Sequence, residues 1–317
     1  MFSDPFFSVV ATAISVFLVT SLGAYLRKKE RLTDMVDMNV MWLVINILYP
    51  SLVVNAMLKN PALDNVENIF LPPVMGFCSV LIGFLLGFLL LGAAKLKSDQ
   101  EKRSYLLANA INNFGFLPIP LIMALYDRET LGVLFVHNIG IDIAIWSFGI
   151  LVISRTISVK DSLKRLLNAP LCAIASCLFI TYFDLDEQVP SFVFKTTQLL
   201  GQAAIPIALL LVGSLMYDAH KKSDFSDGVR LIFSSLAIRV VLFPLCYFGL
   251  VWLIPMSLEL KRVMIVEAAQ PAAMLPIVLA KQYGQSTQVA FIVLLATSIA
   301  SIFTMPIWIE LGTRWLL

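Results

Sequence analysis

Apolar residues dominate long runs of this chain and polar residues gather in the short gaps between them. Runs long enough to cross a bilayer, about 20 residues each, fall at about 7–26, 36–58, 70–94, 104–125, 131–154, 165–183, 190–216, 229–253, 261–281 and 287–312. The pattern predicts an all-α polytopic membrane protein of ten transmembrane helices joined by short turns such as Tyr126 to Thr130. The longest hydrophilic connections, around 155–164 and 217–229, are too short to form domains, so the machinery is expected within the membrane.

Two of the ten runs are interrupted. The ninth contains Glu267-Ala268-Ala269-Gln270-Pro271-Ala272-Ala273-Met274-Leu275-Pro276, and the fourth contains Asn112-Asn113-Phe114-Gly115-Phe116-Leu117-Pro118-Ile119-Pro120. Proline removes a backbone donor and breaks the helix. Hydrocarbon tolerates freed backbone only where it faces protein or a watery cavity. The two stretches are therefore expected to wall one binding site, with Pro118, Pro120 and Pro276 shaping the breaks.

Composition strengthens the membrane reading. Of 317 residues 59% are hydrophobic and 14% charged, and the mean hydropathy is +0.87. A formal net charge of +2 gives no reason to expect a nucleic acid partner. The apolar run after Asp4 lacks a small-residue cleavage motif and reads as a first spanning helix, not a signal peptide. Cys78, Cys172, Cys177 and Cys246 lie in apolar runs without a CxxC pair, which argues against disulfides and zinc.

The placement of basic residues predicts orientation. Arg27, Lys28, Lys29 and Arg31 follow the first helix; Lys95, Lys97, Lys102 and Arg103 the third; Arg155, Lys160, Lys164 and Arg165 the fifth; Lys221, Lys222 and Arg230 the seventh. The alternate segments are poorer in basic residues. By the positive-inside rule both termini lie outside the cytoplasm.

Ten helices divide into two fives, residues 1–155 and 156–317. Leu117-Pro118-Ile119 and Leu275-Pro276-Ile277 occupy matching places in helices 4 and 9, and Leu48-Tyr49-Pro50 in helix 2 matches Ala204-Ile205-Pro206 in helix 7. An odd helix number per half inverts the second half, which is the inverted-repeat plan of many secondary transporters.

The candidate chemistry follows from the breaks. Half-helix N-termini suit an anion such as a carboxylate, and Asn112 and Asn113 add amide donors while Gly115 allows close backbone approach. Glu267 and Gln270, three apart, share a helical face. Ionisable groups inside spans are costly and mark function, which makes Glu267 and Asp142 candidates for binding a coupling ion or proton. Structural alternatives are an interfacial pair of Glu267 with Arg262 and a buried pair of Asp142 with Arg239. His137 is expected near the outer interface as a hydrogen-bonding residue. Neither HExxH nor GxSxG occurs, and no span pairs catalytic carboxylates, so an intramembrane enzyme is not expected.

The assembled residues resemble the auxin efflux carrier family of transporters. Pro271-Ala-Ala-Met-Leu-Pro276-Ile-Val-Leu-Ala280-Lys281-Gln-Tyr283-Gly284 is similar to the family's helix 9 pattern, Asn113 with Pro120-Leu121 and Tyr126 to its helix 4, Arg239 with Pro244 to its helix 8, and Trp146 to its helix 5. The resemblance implies a scaffold of helices 1, 2, 6 and 7 and a transport domain of helices 3–5 and 8–10. It also implies broken helices 4 and 9 crossing at Asn113 and Pro271, elevator-type alternating access and a homodimer. Asn112 replaces the proline of plant members and their long cytoplasmic loop is missing, which points to a compact prokaryotic-type member and away from auxin. The related bile acid/sodium symporters carry a Glu and a Gln before their helix 9 crossover, so sodium coupling, proton coupling and uniport all stay open. The expected function is secondary transport of a small carboxylate with substrate at Asn112, Asn113, Gly115, Gln270 and Pro271, without a cofactor beyond Na+ or H+. The alternatives are a sodium-coupled symporter and an anion channel.

Overall fold

The computed structural model describes residues 4–154, 167–221 and 228–317. Arg155, Lys160, Lys164, Arg165 and Lys222 of the predicted basic loops lie outside the described residues. The helices are α1 (Asp4–Lys28), α2 (Asp34–Met57), α3 (Glu67–Ala94), α4 (Asp99–Ala110), α5 (Pro118–Leu125), α6 (Arg128–Ser154), α7 (Ala169–Tyr182), α8 (Ser191–Lys221), α9 (Val229–Leu253), α10 (Leu258–Ala268), α11 (Leu275–Gln282) and α12 (Thr287–Leu316).

Seven of these, α1, α2, α3, α6, α8, α9 and α12, are long and apolar enough to cross a membrane. The predicted fourth run resolves into α4 and α5 and the predicted ninth into α10 and α11, each too short to span alone. The predicted sixth is represented by the 14-residue α7. Apolar side chains such as Leu18, Leu22, Phe88, Leu89 and Phe303 face outward, as lipid contact requires.

Local chemistry sets the helix starts. Ser98 and Glu101 form a capping box at α4, and Asp127 accepts from the Thr130 N–H at 2.9 Å at the start of α6. Asn168, Ser257 and Ser286 cap α7, α10 and α12 in the same way. Proline acts differently according to place. Pro50 and Pro244 each follow a π-helical turn, Val44–Leu48 and Ala237–Leu242, where the widened ring absorbs the missing donor. Pro206, the expected counterpart of Pro50, sits within uninterrupted α8.

The most extensive helix contacts are α3 along α6 and α1 along α8. Glycine permits the first: a Cβ on Gly140 would fall 2.6 Å from the Pro73 carbonyl carbon and 2.7 Å from the Phe77 nitrogen. Backbones approach this closely only through small residues, the usual means of helix association in lipid. The result is a rigid α3–α6 pair flanking the α4–α5 break.

Candidate functional site

The two broken helices meet as extended chain. Ile111 leaves helical geometry after α4, and Pro271, lacking an N–H, prevents α10 from continuing. Asn112 then pairs antiparallel with Ala272. The Asn113 N–H donates to the Pro271 carbonyl at 2.8 Å, and the Ala273 N–H donates to the Ile111 carbonyl at 2.9 Å. The Ala272 N–H turns the other way and donates to Thr297 Oγ1 of α12 at 3.1 Å. Backbone groups that hydrocarbon could not satisfy are thus paired across the crossing.

Side chains complete the accounting. Arg239 of α9 donates through Nη2 to the Gln270 carbonyl at 2.8 Å and through Nη1, more weakly, to the Asn109 carbonyl at 3.5 Å. Its guanidinium therefore lies at the C-terminal ends of α4 and α10, where helix dipoles present partial negative charge. It also lies over the Phe243 ring, 4.1 Å from the centroid. The Glu267 carboxylate accepts from the Asn112 amide, and Gln270 Nε2 donates to the Val266 carbonyl at 2.8 Å. Glu267, Asn112 and Gln270 are all fully buried.

A cavity of about 680 Å³ opens on the other side of the crossing, within the range of small-molecule sites. Asn113, Gly115, Pro271, Asn138 and Asp142 line it, together with Tyr49 of α2. Asn138 Nδ2 donates to the Phe114 carbonyl at 2.9 Å and holds the α4–α5 break against α6. Walls from α1, α2, α7 and α8, including Val16, Val44, Ile174 and Leu209, close the opposite side. The cavity therefore lies between these walls and the crossing.

The five residues expected to contact substrate separate here. Asn113, Gly115 and Pro271 border the cavity, whereas Asn112 and Gln270 face the protein interior behind the crossing and do not line it. Pro118 occupies the first turn of α5 and Pro276 that of α11, with Pro120 one position further into α5 than Ile119. These prolines start the second half-helices, while the crossing itself falls at Asn112 and Ala272.

Neither pairing given as a structural alternative forms. Arg262 bonds Asp127 at 2.6 Å, leaving Glu267 buried and not interfacial. Arg239 goes to the backbone carbonyls of Gln270 and Asn109 instead of Asp142. His137 is fully buried, its Nδ1 3.5 Å from Asn138 Oδ1, a side-chain hydrogen-bonding contact as expected of it. Asn109, Asn138 and Thr297 were not singled out by spacing. Their signal in the sequence is polarity inside an apolar run, shared with many side chains that merely bond the preceding turn.

Outside the spans, Asp127 joins the N-terminal ends of α6 and α10. Burial works against its carboxylate, but bonds from Thr130 and the Arg262 guanidinium outweigh that and hold it below the usual carboxylate range.

Comparison with known proteins agrees with this architecture. The family described as membrane transport protein matches residues 8–165 and 153–309. An uncharacterized transporter of Methanocaldococcus jannaschii is 26% identical over 272 residues, covering 84% of this chain and 86% of that protein. An uncharacterized transporter of Methanothermobacter thermautotrophicus is 23% identical over 312 residues, covering 96% and 98%. With both breaks, their crossing and nearly the whole length inside the match, this chain belongs to the membrane transport protein family, that of the auxin efflux carriers.

Proposed function

We propose that this protein is a secondary active transporter of a small organic carboxylate, with the substrate bound in the cavity beside the crossing. The observation that carries the reading is the paired break itself: Asn113, Gly115 and Pro271 border one cavity, and behind them the two breaks pair through the Asn113 N–H to the Pro271 carbonyl and the Ala273 N–H to the Ile111 carbonyl. The N-terminal turns of α5 and α11 follow the two breaks and supply partial positive charge without a buried cation. Alternating access is by elevator-type movement of α3–α6 and α9–α12 against a scaffold of α1, α2, α7 and α8, within ten spans arranged as two inverted halves. The cavity lies along the boundary between those groups, where such movement would carry it from one side to the other. The working unit is a homodimer in the plasma membrane with both termini outside.

Glu267 is the proposed coupling group. Glu267 Oε1, Gln270 Oε1, Asn112 Oδ1 and Asn109 Oδ1 are buried without hydrogen-bond partners. Buried oxygens of this kind need a proton, a water or a cation. This favours coupling to H+ or Na+ over uniport, and a sodium-coupled symporter is the second reading.

Purified protein is screened by thermal shift against mono- and dicarboxylates, with sodium and pH varied, since a ligand bound only to the folded state raises its stability. A carboxylate that stabilises wild type and no longer stabilises Asn113→Ala, at unchanged basal Tm, is the expected result. Normal binding and uptake by that variant would remove the site assignment. Sodium-independent stabilisation would remove the sodium reading, and a sustained non-saturating current in reconstituted bilayers would favour a channel.

A further inference from the structure

The charges around the cavity do not suit a simple anion. Among its described lining residues Asp142 is the one carboxylate, and there is no Lys, Arg or His. Arg239, the buried cation of α9, is spent on the carbonyls of Gln270 and Asn109 behind the crossing. Asp142 itself makes no hydrogen bond or ion pair with a described residue. An unpaired carboxylate in the wall would repel an anionic substrate across a poorly screened space, where unit charges interact far more strongly than in water.

Its position is set by α6. Asn138, Asp142 and Trp146 are spaced four apart, share one helical face and all line the cavity. The Asn138 amide bonds the Phe114 carbonyl, so that face looks at the α4–α5 break. Asp142 is therefore displaced from the break by about one helical turn, roughly 5–6 Å.

We propose that the transported carboxylate also carries an ammonium group and that Asp142 binds it, making the substrate class zwitterionic amino acids with apolar side chains. This rests on the crossover reading of the site and adds the identity of the second recognised group. A carboxylate and an ammonium on one carbon, each adding a charge-assisted bond of about 2.8 Å, bridge groups one helical turn apart. Their charges cancel each other, so a neutral substrate enters and Asp142 gains the partner the protein does not supply. Phe17, Phe116, Trp146, Leu209 and Ile299 provide the apolar wall for the side chain. Among the described lining residues a second carboxylate would find no cation, and a basic side chain no carboxylate beyond Asp142. This role displaces Asp142 from proton or ion coupling, which stays with Glu267.

The test compares matched ligands that differ only in the amine: L-phenylalanine with 3-phenylpropanoate, and L-leucine with 4-methylpentanoate, with malonate as a dicarboxylate control. Binding is read by thermal shift and uptake in proteoliposomes. Wild type is expected to bind each amino acid at least about tenfold more tightly than its des-amino partner, the scale of an ionic contact removed from a desolvated site. Asp142→Asn is expected to lose that preference, and Asp142→Glu to keep part of it. Asp142→Glu and the wild-type ligand pairs still decide the matter if Asp142→Asn does not fold. Binding of malonate or the des-amino acids in preference to the amino acids would overturn amine recognition while leaving the crossover site standing. A preference retained in Asp142→Asn would overturn the assignment of the ammonium to Asp142, again leaving the crossover site standing. If none of these ligands binds, this inference falls, and the crossover reading is decided separately by the Asn113→Ala comparison in the wider carboxylate screen.

Discussion

The Arg239 guanidinium donates to the Gln270 carbonyl oxygen at 2.8 Å, joining α9 to the point where α10 stops being a helix. One cation thereby satisfies an acceptor left without a helical partner where α10 has ended, and it sits within electrostatic reach of Glu267. The cavity and the Arg239 contact lie on opposite faces of the same crossing.

Replacing Arg239 by Met would leave the Gln270 carbonyl buried and unpaired and Glu267 without its nearby positive charge. A buried acceptor left unsatisfied costs about 1–3 kcal/mol, more where a charge is involved. The apparent Tm in detergent should fall by several degrees, with Arg239→Lys intermediate because it keeps the charge and loses the fork. An unchanged Tm in Arg239→Met would mean the crossing does not depend on this cation.

Gly115 has space around it on the protein side. A Cβ there would meet only the Tyr49 hydroxyl, at an ordinary 3.7 Å, so Gly115→Ala should fold with wild-type stability. The added methyl stands at the cavity edge, and affinity for the transported ligand should drop about tenfold or less, as for one misplaced methyl-sized group. Calorimetric titration of wild type and variant checks this; equal affinities would place the ligand away from Gly115.

Gly140→Ala should show the reverse pattern. Its Cβ would enter the backbone of α3 at Pro73 and Phe77, and overpacking of this kind costs about 1–3 kcal/mol. Lower Tm and lower yield of folded protein are expected, measured by size-exclusion chromatography and thermal denaturation. A variant as stable as wild type would show that α3 and α6 can separate freely.

The Asp127–Arg262 pair predicts a modest acid sensitivity. The folded-state pKa of Asp127 is depressed, so its contribution is fully present above the unfolded value, about 3.9, and is lost as pH falls through the lower folded value. The carboxylate is 41% exposed, so the effect is less than about 1 kcal/mol. Asp127→Asn should flatten the decline in Tm of wild type between about pH 4.5 and 2.5; identical acid profiles would assign the decline to other carboxylates.

Hydrophobic run length alone determined that this is a helical membrane protein, because a chain with 59% apolar residues has no soluble way to bury them. The two proline-bearing breaks were equally legible, since Pro271 and Pro118 alter the backbone wherever they occur. What each polar side chain does was decided by tertiary structure. Asn112 and Asn113 are neighbours in sequence, yet extended backbone sends successive side chains to opposite faces. Asn113 thus borders the cavity, and Asn112 reaches Glu267 behind the crossing. Likewise Arg239 could have paired with Asp142 by composition, but the crossing placed unpaired carbonyls within its reach and left Asp142 facing the cavity. Spacing along one helix assigns a face; only the packing of helices distant in sequence determines what that face meets.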